Sequence, residues 1–120
     1  MTKILRGLRG ATTAAANTSE AILEATEELL SALQQSNGFA PEDVESAIFT
    51  SSPDLTAEYP ARAARRLGWT DVPLLGTAEV PVPTGLLRCI RVLLHFYTTK
   101  PQSALKHTYL RGAAVLRLDR

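Results

Sequence analysis

Seven side chains stand out for the chemistry they could do together. Arg9, Arg62, Arg65, Arg91 and Arg117 fall on segments that read as strand, strand end or short helix. Glu79 sits between Ala78 and Val80, and Tyr109 lies in a late apolar stretch. Such a set suits a small polyanion gripped at several points, because a guanidinium fork meets carboxylate or phosphate oxygens two at a time. Arg91 is the sharpest case. It interrupts an apolar run, Cys89-Ile90-Arg91-Val92-Leu93-Leu94, and a guanidinium taken out of water needs an anion or several acceptors in return. Each member also has a plainer reading: arginines on a short helix as a solvated face, Glu79 as strand-end surface.

Other chemistries are poorly served. His95 and His107 stand alone and the single cysteine, Cys89, has no partner at ligand spacing, so no metal set is expected. Arg6-Gly7-Leu8-Arg9-Gly10 has neither the P-loop nor the dinucleotide spacing. No serine or cysteine is placed beside a histidine base, and Cys89 reads as a small core residue. Any catalysis would come from positioning and fixed charge, with no cofactor.

The charge pattern points the same way. Ten of the thirteen basic residues are arginine, and from Gly10 to Ala61 there is no Lys or Arg against nine acids. At 120 residues, 45% hydrophobic and 21% charged, the chain is expected to be one domain, residues 1–120, with an ordinary core. No apolar run approaches bilayer length and the opening residues lead straight into a strand-like segment. One cysteine fits a reducing compartment, and a cytoplasmic location is expected.

These residues need a frame to hold them. Cys89–Thr98, rich in β-branched and aromatic residues, reads as a central strand with Ile90, Val92, Leu94 and Phe96 on one face and Cys89, Arg91, Leu93, His95 and Tyr97 on the other. Lys3 to Leu8 reads as a first strand, with a small-residue turn over Arg9 to Thr13 that leaves Arg9 at the strand end. Thr18 or Ser19 caps a helix whose stripe is Ile22, Thr26, Leu29, Leu30 and Leu33 and whose stop is Gly38. Pro41 opens one helical turn, Val44 to Thr50 is a second strand, and a second helix runs from near Pro60 to Gly68. Val72 to Leu75 reads as a third strand interrupted at Gly76, and Pro81 to Gly85 as a stiff loop. His107 to Leu110 and Ala113 to Leu118 read as a final hairpin across Arg111-Gly112. The fold class is α+β: a mixed sheet of about five strands with two main helices on one face. The other face is under-covered, which favours self-association.

Five blocks in this order resemble a known family. Arg6-Gly7-Leu8-Arg9-Gly10-Ala11-Thr12-Thr13 is followed by Ser52-Pro53-Asp54-Leu55 with Tyr59-Pro60-Ala61-Arg62-Ala63-Ala64-Arg65, Gly68-Trp69 with Val72-Pro73, Cys89-Ile90-Arg91-Val92, and His107-Thr108-Tyr109-Leu110 with Val115-Leu116-Arg117. Together they resemble the monofunctional, trimeric chorismate mutases of the AroH class. The resemblance implies the Claisen rearrangement of chorismate to prephenate in aromatic amino-acid biosynthesis, at sites between subunits of a homotrimer whose sheets form a pseudo-barrel. It implies Arg91 at the ether oxygen, Arg9 and Tyr109 on carboxylates, and Glu79 on the ring hydroxyl. Leu75, Gly76, Thr77 and Ala78 would line the pocket, with Tyr59, Ala61, Arg62, Arg65, Leu116 and Arg117 as neighbouring wall and mouth. The sequence departs from the family pattern at Gly76, where a cysteine is familiar, so that Glu79 would hold the hydroxyl alone. Arg62 stands for a familiar lysine, and Pro83-Thr84 replaces a more glycine-like turn.

Two other functions fit parts of the pattern. A trimeric module that binds a small anionic metabolite without transforming it would use similar arginines. Nucleic-acid binding is disfavoured, since the basic residues sit within apolar strands and only seven aromatics are available for stacking.

Overall fold

The alternation in Cys89–Thr98 organises the molecule. The computed structural model describes residues 2–119, with side chains through residue 116. Its elements are β1 (Ile4–Thr13), α1 (Ser19–Asn37), β2 (Val44–Ser51), α2 (Ala61–Arg66), β3 (Leu74–Ala78), β4 (Cys89–Thr98) and β5 (Thr108–Tyr109). They form one five-stranded mixed sheet in the order β3-β2-β4-β1-β5. β4 is thus the middle strand. It runs antiparallel to β1 and β2, whereas β3 and β5 pair parallel at the two edges.

Both helices lie on the face that carries Ile90, Val92, Leu94 and Phe96, all buried. Leu29, Leu30 and Leu33 of α1 and Ala64 of α2 join Val92, Leu94 and Phe96 in one apolar cluster. Phe39 closes one end, with its ring 4.8 Å from Phe96 and edge-on to Trp69 at 6.1 Å. α1 begins where its cap dictates: the Thr18 hydroxyl accepts the Ala21 N–H at 3.1 Å. It ends at Gly38, whose φ of 65° would strain any side-chain-bearing residue.

Three local expectations are corrected. β1 does not turn at Arg9 but continues to Thr13, pairing with β4 throughout. The small residues there serve packing rather than bending: a Cβ on Gly10 would meet the Leu33 and Leu29 methyls at 2.9 and 3.1 Å and the Thr108 carbonyl at 3.3 Å. β3 is not broken at Gly76 but runs through it to Ala78, since pairing with Phe49 of β2 holds that backbone extended. The final hairpin is absent. Its first arm is the two-residue β5, and its second lies in a 3-10 helix, Arg111–Asp119. Arg111 adopts a left-handed φ of 52°, its guanidinium reaches Glu28 at 3.1 Å, and the Gly112 N–H donates to the Thr13 hydroxyl at 3.1 Å. The Gly112-Ala113-Ala114 run lacks the β-branched residues a strand would use, and Ala113 is buried against Ala11 and Tyr109 instead.

Because two buried leucine methyls and a backbone carbonyl crowd Gly10, Gly10→Ala is expected to destabilise the fold by about 1–3 kcal/mol. Thermal unfolding of the variant measures it, and an unchanged midpoint would mean the helix is not seated as tightly as described.

Candidate active site

Strand register alone decides which side chains share the face without helices. Across from Arg91 lie Ala11 of β1 and Thr50 of β2, and across from Leu93 lie Arg9 and Ile48. Tyr109 of β5 pairs with Ala11, one strand further out. Residues in register point to the same side of a sheet, so Arg9, Arg91, Thr50 and Tyr109 converge there. They line a cavity of about 230 Å³ together with Ile48, Glu79, Leu93 and Leu116.

Glu79 comes to this face from just past the end of β3. Its backbone N–H donates to the Ser51 carbonyl at 2.9 Å. Its Oε2 accepts the Thr50 hydroxyl at 2.8 Å and lies 3.4 Å from the Arg91 Nε. Arg91 therefore has an internal partner, which sequence alone did not supply. The partnership is incomplete, however: the Nε–H is buried and makes no hydrogen bond among the described residues, so the 3.4 Å approach is charge pairing without alignment. With side chains 38% and 29% exposed, the pair adds little stability. A half-satisfied guanidinium beside a cavity is equipped to bind an anion.

The start of β4 is tied down close to Arg91. Ser52 and Cys89 exchange two bonds, Cys89 N–H to the Ser52 hydroxyl and Ser52 N–H to the Cys89 carbonyl, both 2.9 Å. Arg88, in a left-handed conformation at φ 49°, gives its N–H to Asp54 at 2.9 Å and its Nε–H to the Ala14 carbonyl at 3.1 Å. Hydrogen bonding from Ser52, then from the Arg88 N–H, holds the Asp54 carboxyl below its ordinary pKa. On the other strand the Arg9 N–H donates to Nδ1 of His107 at 3.0 Å, so both arginines stand on fixed backbone. Burial pushes the Cys89 thiol pKa upward although a side-chain hydrogen bond with Arg91, and then its charge, pull it down, so the thiol stays protonated and unreactive.

The remaining expected residues gather elsewhere. Tyr59, Ala61, Arg62, Arg65 and Gly76 line a cleft at the outer edge, between α2 and β3, continuous with a second one lined by Tyr59, Gly76, Thr77 and Ala78. Arg62 pairs with Glu58 at 2.7 Å. Arg65 binds the Trp69 and Thr70 carbonyls, tying down the turn that follows its helix. Leu75 faces outward, 61% exposed. Leu116, expected on the neighbouring wall, sits with the Arg91 group instead. The Arg117 side chain lies outside the described residues. Thr50 and Ile48 were not singled out from sequence; the parity of β2, with Thr50 opposite Arg91, is the signal that identifies them. No cluster of His, Cys, Asp and Glu among the described residues is arranged to hold a metal, and no helix is long and apolar enough to cross a membrane.

A five-stranded mixed sheet with two helices on one face and an arginine-lined cavity on the other defines a small α+β fold. Residues 5–120 match the chorismate mutase type I family, and the chain belongs to that family. It is 48% identical over 117 residues to the chorismate mutase AroH of Thermus thermophilus, covering 97% of this chain and 96% of that protein. It is 43% identical to the AroH of Bacillus subtilis, with 97% and 92% covered. A chorismate mutase structure from Clostridium thermocellum superposes with a TM-score of 0.90 at 44% identity, covering 91% of this chain and 97% of that one.

Cys89→Ser is expected to fold and to keep its turnover, because a buried protonated thiol offers no nucleophile. Loss of chorismate consumption in a folded Cys89→Ser protein would put covalent chemistry back in play.

Proposed function

We propose that this single-domain chain rearranges chorismate to prephenate at a site completed between subunits of a homotrimer, with Arg91 as the fixed positive charge at the ether oxygen. The observation that carries the reading is the convergence of Arg9, Arg91, Tyr109 and Glu79 on one cavity, with the Arg91 Nε–H buried and short of a hydrogen bond.

The reaction is internal to one molecule. The ether C–O bond breaks and a C–C bond forms, with no proton, cofactor or second substrate exchanged. Negative charge gathers on the ether oxygen as C–O cleavage runs ahead of C–C formation. A guanidinium already in place there stabilises the transition state more than the ground state, which is the condition for raising the rate. Arg9 and Tyr109 hold the carboxylates and Glu79 the ring hydroxyl, keeping a flexible substrate in its compact, reactive shape.

Two features support a shared site. The cavity beside Arg91, about 230 Å³, falls below the roughly 300 Å³ at which small-molecule pockets begin. The cleft holding Tyr59, Ala61, Arg62 and Arg65 adjoins α2, on the helical side of the sheet, whereas the Arg91 cavity is on the bare side. A neighbouring copy that brings its α2 edge over the bare face would unite the two halves and cover Leu93 and Tyr97, which are 38% and 42% exposed. In that closed trimer the sheets make the pseudo-barrel, and Leu75 to Ala78 with Arg117 complete the walls and mouth. We assign the reaction to the cytoplasm, a reducing compartment that suits a lone unpaired cysteine.

Arg91→Ala should fold but lose on the order of 3–4 kcal/mol of barrier lowering, several hundredfold in kcat, with little rescue in Arg91→Lys. Absorbance loss of chorismate measures this, and near-normal turnover in Arg91→Ala would remove the mechanism. A protein that leaves chorismate intact while binding it would instead be an anion-binding module.

Co-refolding Arg91→Ala with Arg62→Ala chains tests the shared site. If each site takes Arg91 from one subunit and Arg62 from the next, random mixing of the two inactive variants restores activity at about a quarter of the sites. No recovery from a mixture of proven trimers would confine each site to one chain.

A further inference from the structure

We propose that Thr50 is a positioning residue for the rearrangement, acting through Glu79. The inference rests on the role given above to Glu79 as acceptor for the ring hydroxyl. Thr50 sits on β2 directly across from Arg91, in the register that also aligns it with Thr77 of β3. Its hydroxyl donates to Oε2 of Glu79 at 2.8 Å, the only hydrogen bond from another residue's side chain to that carboxylate among the described residues. The same oxygen lies 3.4 Å from the Arg91 Nε, outside hydrogen-bond alignment.

The two carboxylate oxygens therefore have different work. Oε2 is engaged by Thr50 and faces the arginine. Among the described residues Oε1 receives only its neighbour's backbone, the Val80 N–H, at 3.3 Å, and keeps accepting capacity for a substrate hydroxyl. A carboxylate on a residue just past a strand end has two free side-chain torsions beyond Cβ, and charge pairing with Arg91 does not fix them because it is not directional. The directed O–H of Thr50 does. Without it, Glu79 is free to swing onto the guanidinium and form the aligned ion pair that is absent here, neutralising Arg91 and withdrawing from the hydroxyl in one movement. Thr50 thus separates two groups of opposite charge that would otherwise satisfy each other, leaving both available to substrate.

The Gly76 substitution raises the weight on this bond. Glycine at position 76 has no side chain, so nothing there shares the hydroxyl contact with Glu79.

The test measures kcat/KM for chorismate consumption in Thr50→Val, which is nearly isosteric but has no donor, and Thr50→Ser, which keeps it. Glu79→Ala and the Thr50→Val/Glu79→Ala pair complete a cycle, and Thr50→Ala stands in should the valine variant not fold. Expected are a loss of about 10- to 100-fold in Thr50→Val, near-normal activity in Thr50→Ser, and no further loss from Thr50→Val once Glu79 is gone. Full activity in the folded valine or alanine variant, alongside impaired Glu79→Ala, overturns the role of Thr50 while leaving Glu79 in place. Equal losses in both backgrounds overturn it too, since Thr50 would then act without Glu79. Unimpaired Glu79→Ala fails the hydroxyl-acceptor reading itself and the inference with it.

Discussion

A positive charge catalyses only if it is already where the charge it meets will appear. In the proposed reaction that charge is one guanidinium, held on the middle strand of a sheet. β4 is hydrogen-bonded along both edges, to β1 and β2, so its backbone cannot shift to meet a ligand. Its two-residue alternation divides the labour. Even-numbered residues from Ile90 to Phe96 anchor the strand in the helical core. The odd-numbered ones stand on the bare side, where Arg91 is the charged member.

The surroundings keep that charge unfinished. Glu79 is close enough to stabilise Arg91 electrostatically but is held by Thr50 and the Ser51 carbonyl in a position that does not complete its hydrogen bonds. A fully paired arginine would be a structural element, and an isolated one would be too costly to bury. The arrangement lies between these limits. The turn of residues 52–55 and the left-handed Arg88 stiffen the approach to β4, and the His107 bond does the same for the strand bearing Arg9.

Much of this was legible in the chain. The central strand, its two faces and the capped helix from Thr18 to Gly38 follow from patterns that local sequence carries, alternation and cap residues; of the seven side chains that stand out for anion chemistry, Arg9, Arg91, Glu79 and Tyr109 share one cavity. The errors share a cause. Sequence reads Gly10 and Gly76 as breaks, because glycine's freedom is visible there whereas the helix packed over Gly10 and the partner strand beside Gly76 are not. The tail after Leu110 reads as a strand because apolar alternation is present, but β1 offers β5 only two residues of edge before Arg111 turns away. The division of expected site residues between two faces was equally hidden, since motif order says nothing about which side of a sheet a motif reaches.

The pairing of β1 with β4 joins Ile4 to Thr98 and Thr13 to Cys89, so the strand bearing Arg9 waits for one made nearly a whole chain later. Closing so long a loop costs entropy before any contact repays it, and folds built on such pairings form slowly. On the ribosome, β1 emerges early and has only α1 to lean on until β4 leaves the exit tunnel. Arg9 and Arg91 therefore come together at the end of folding rather than during it, and a nascent chain has no partial version of their cavity to offer.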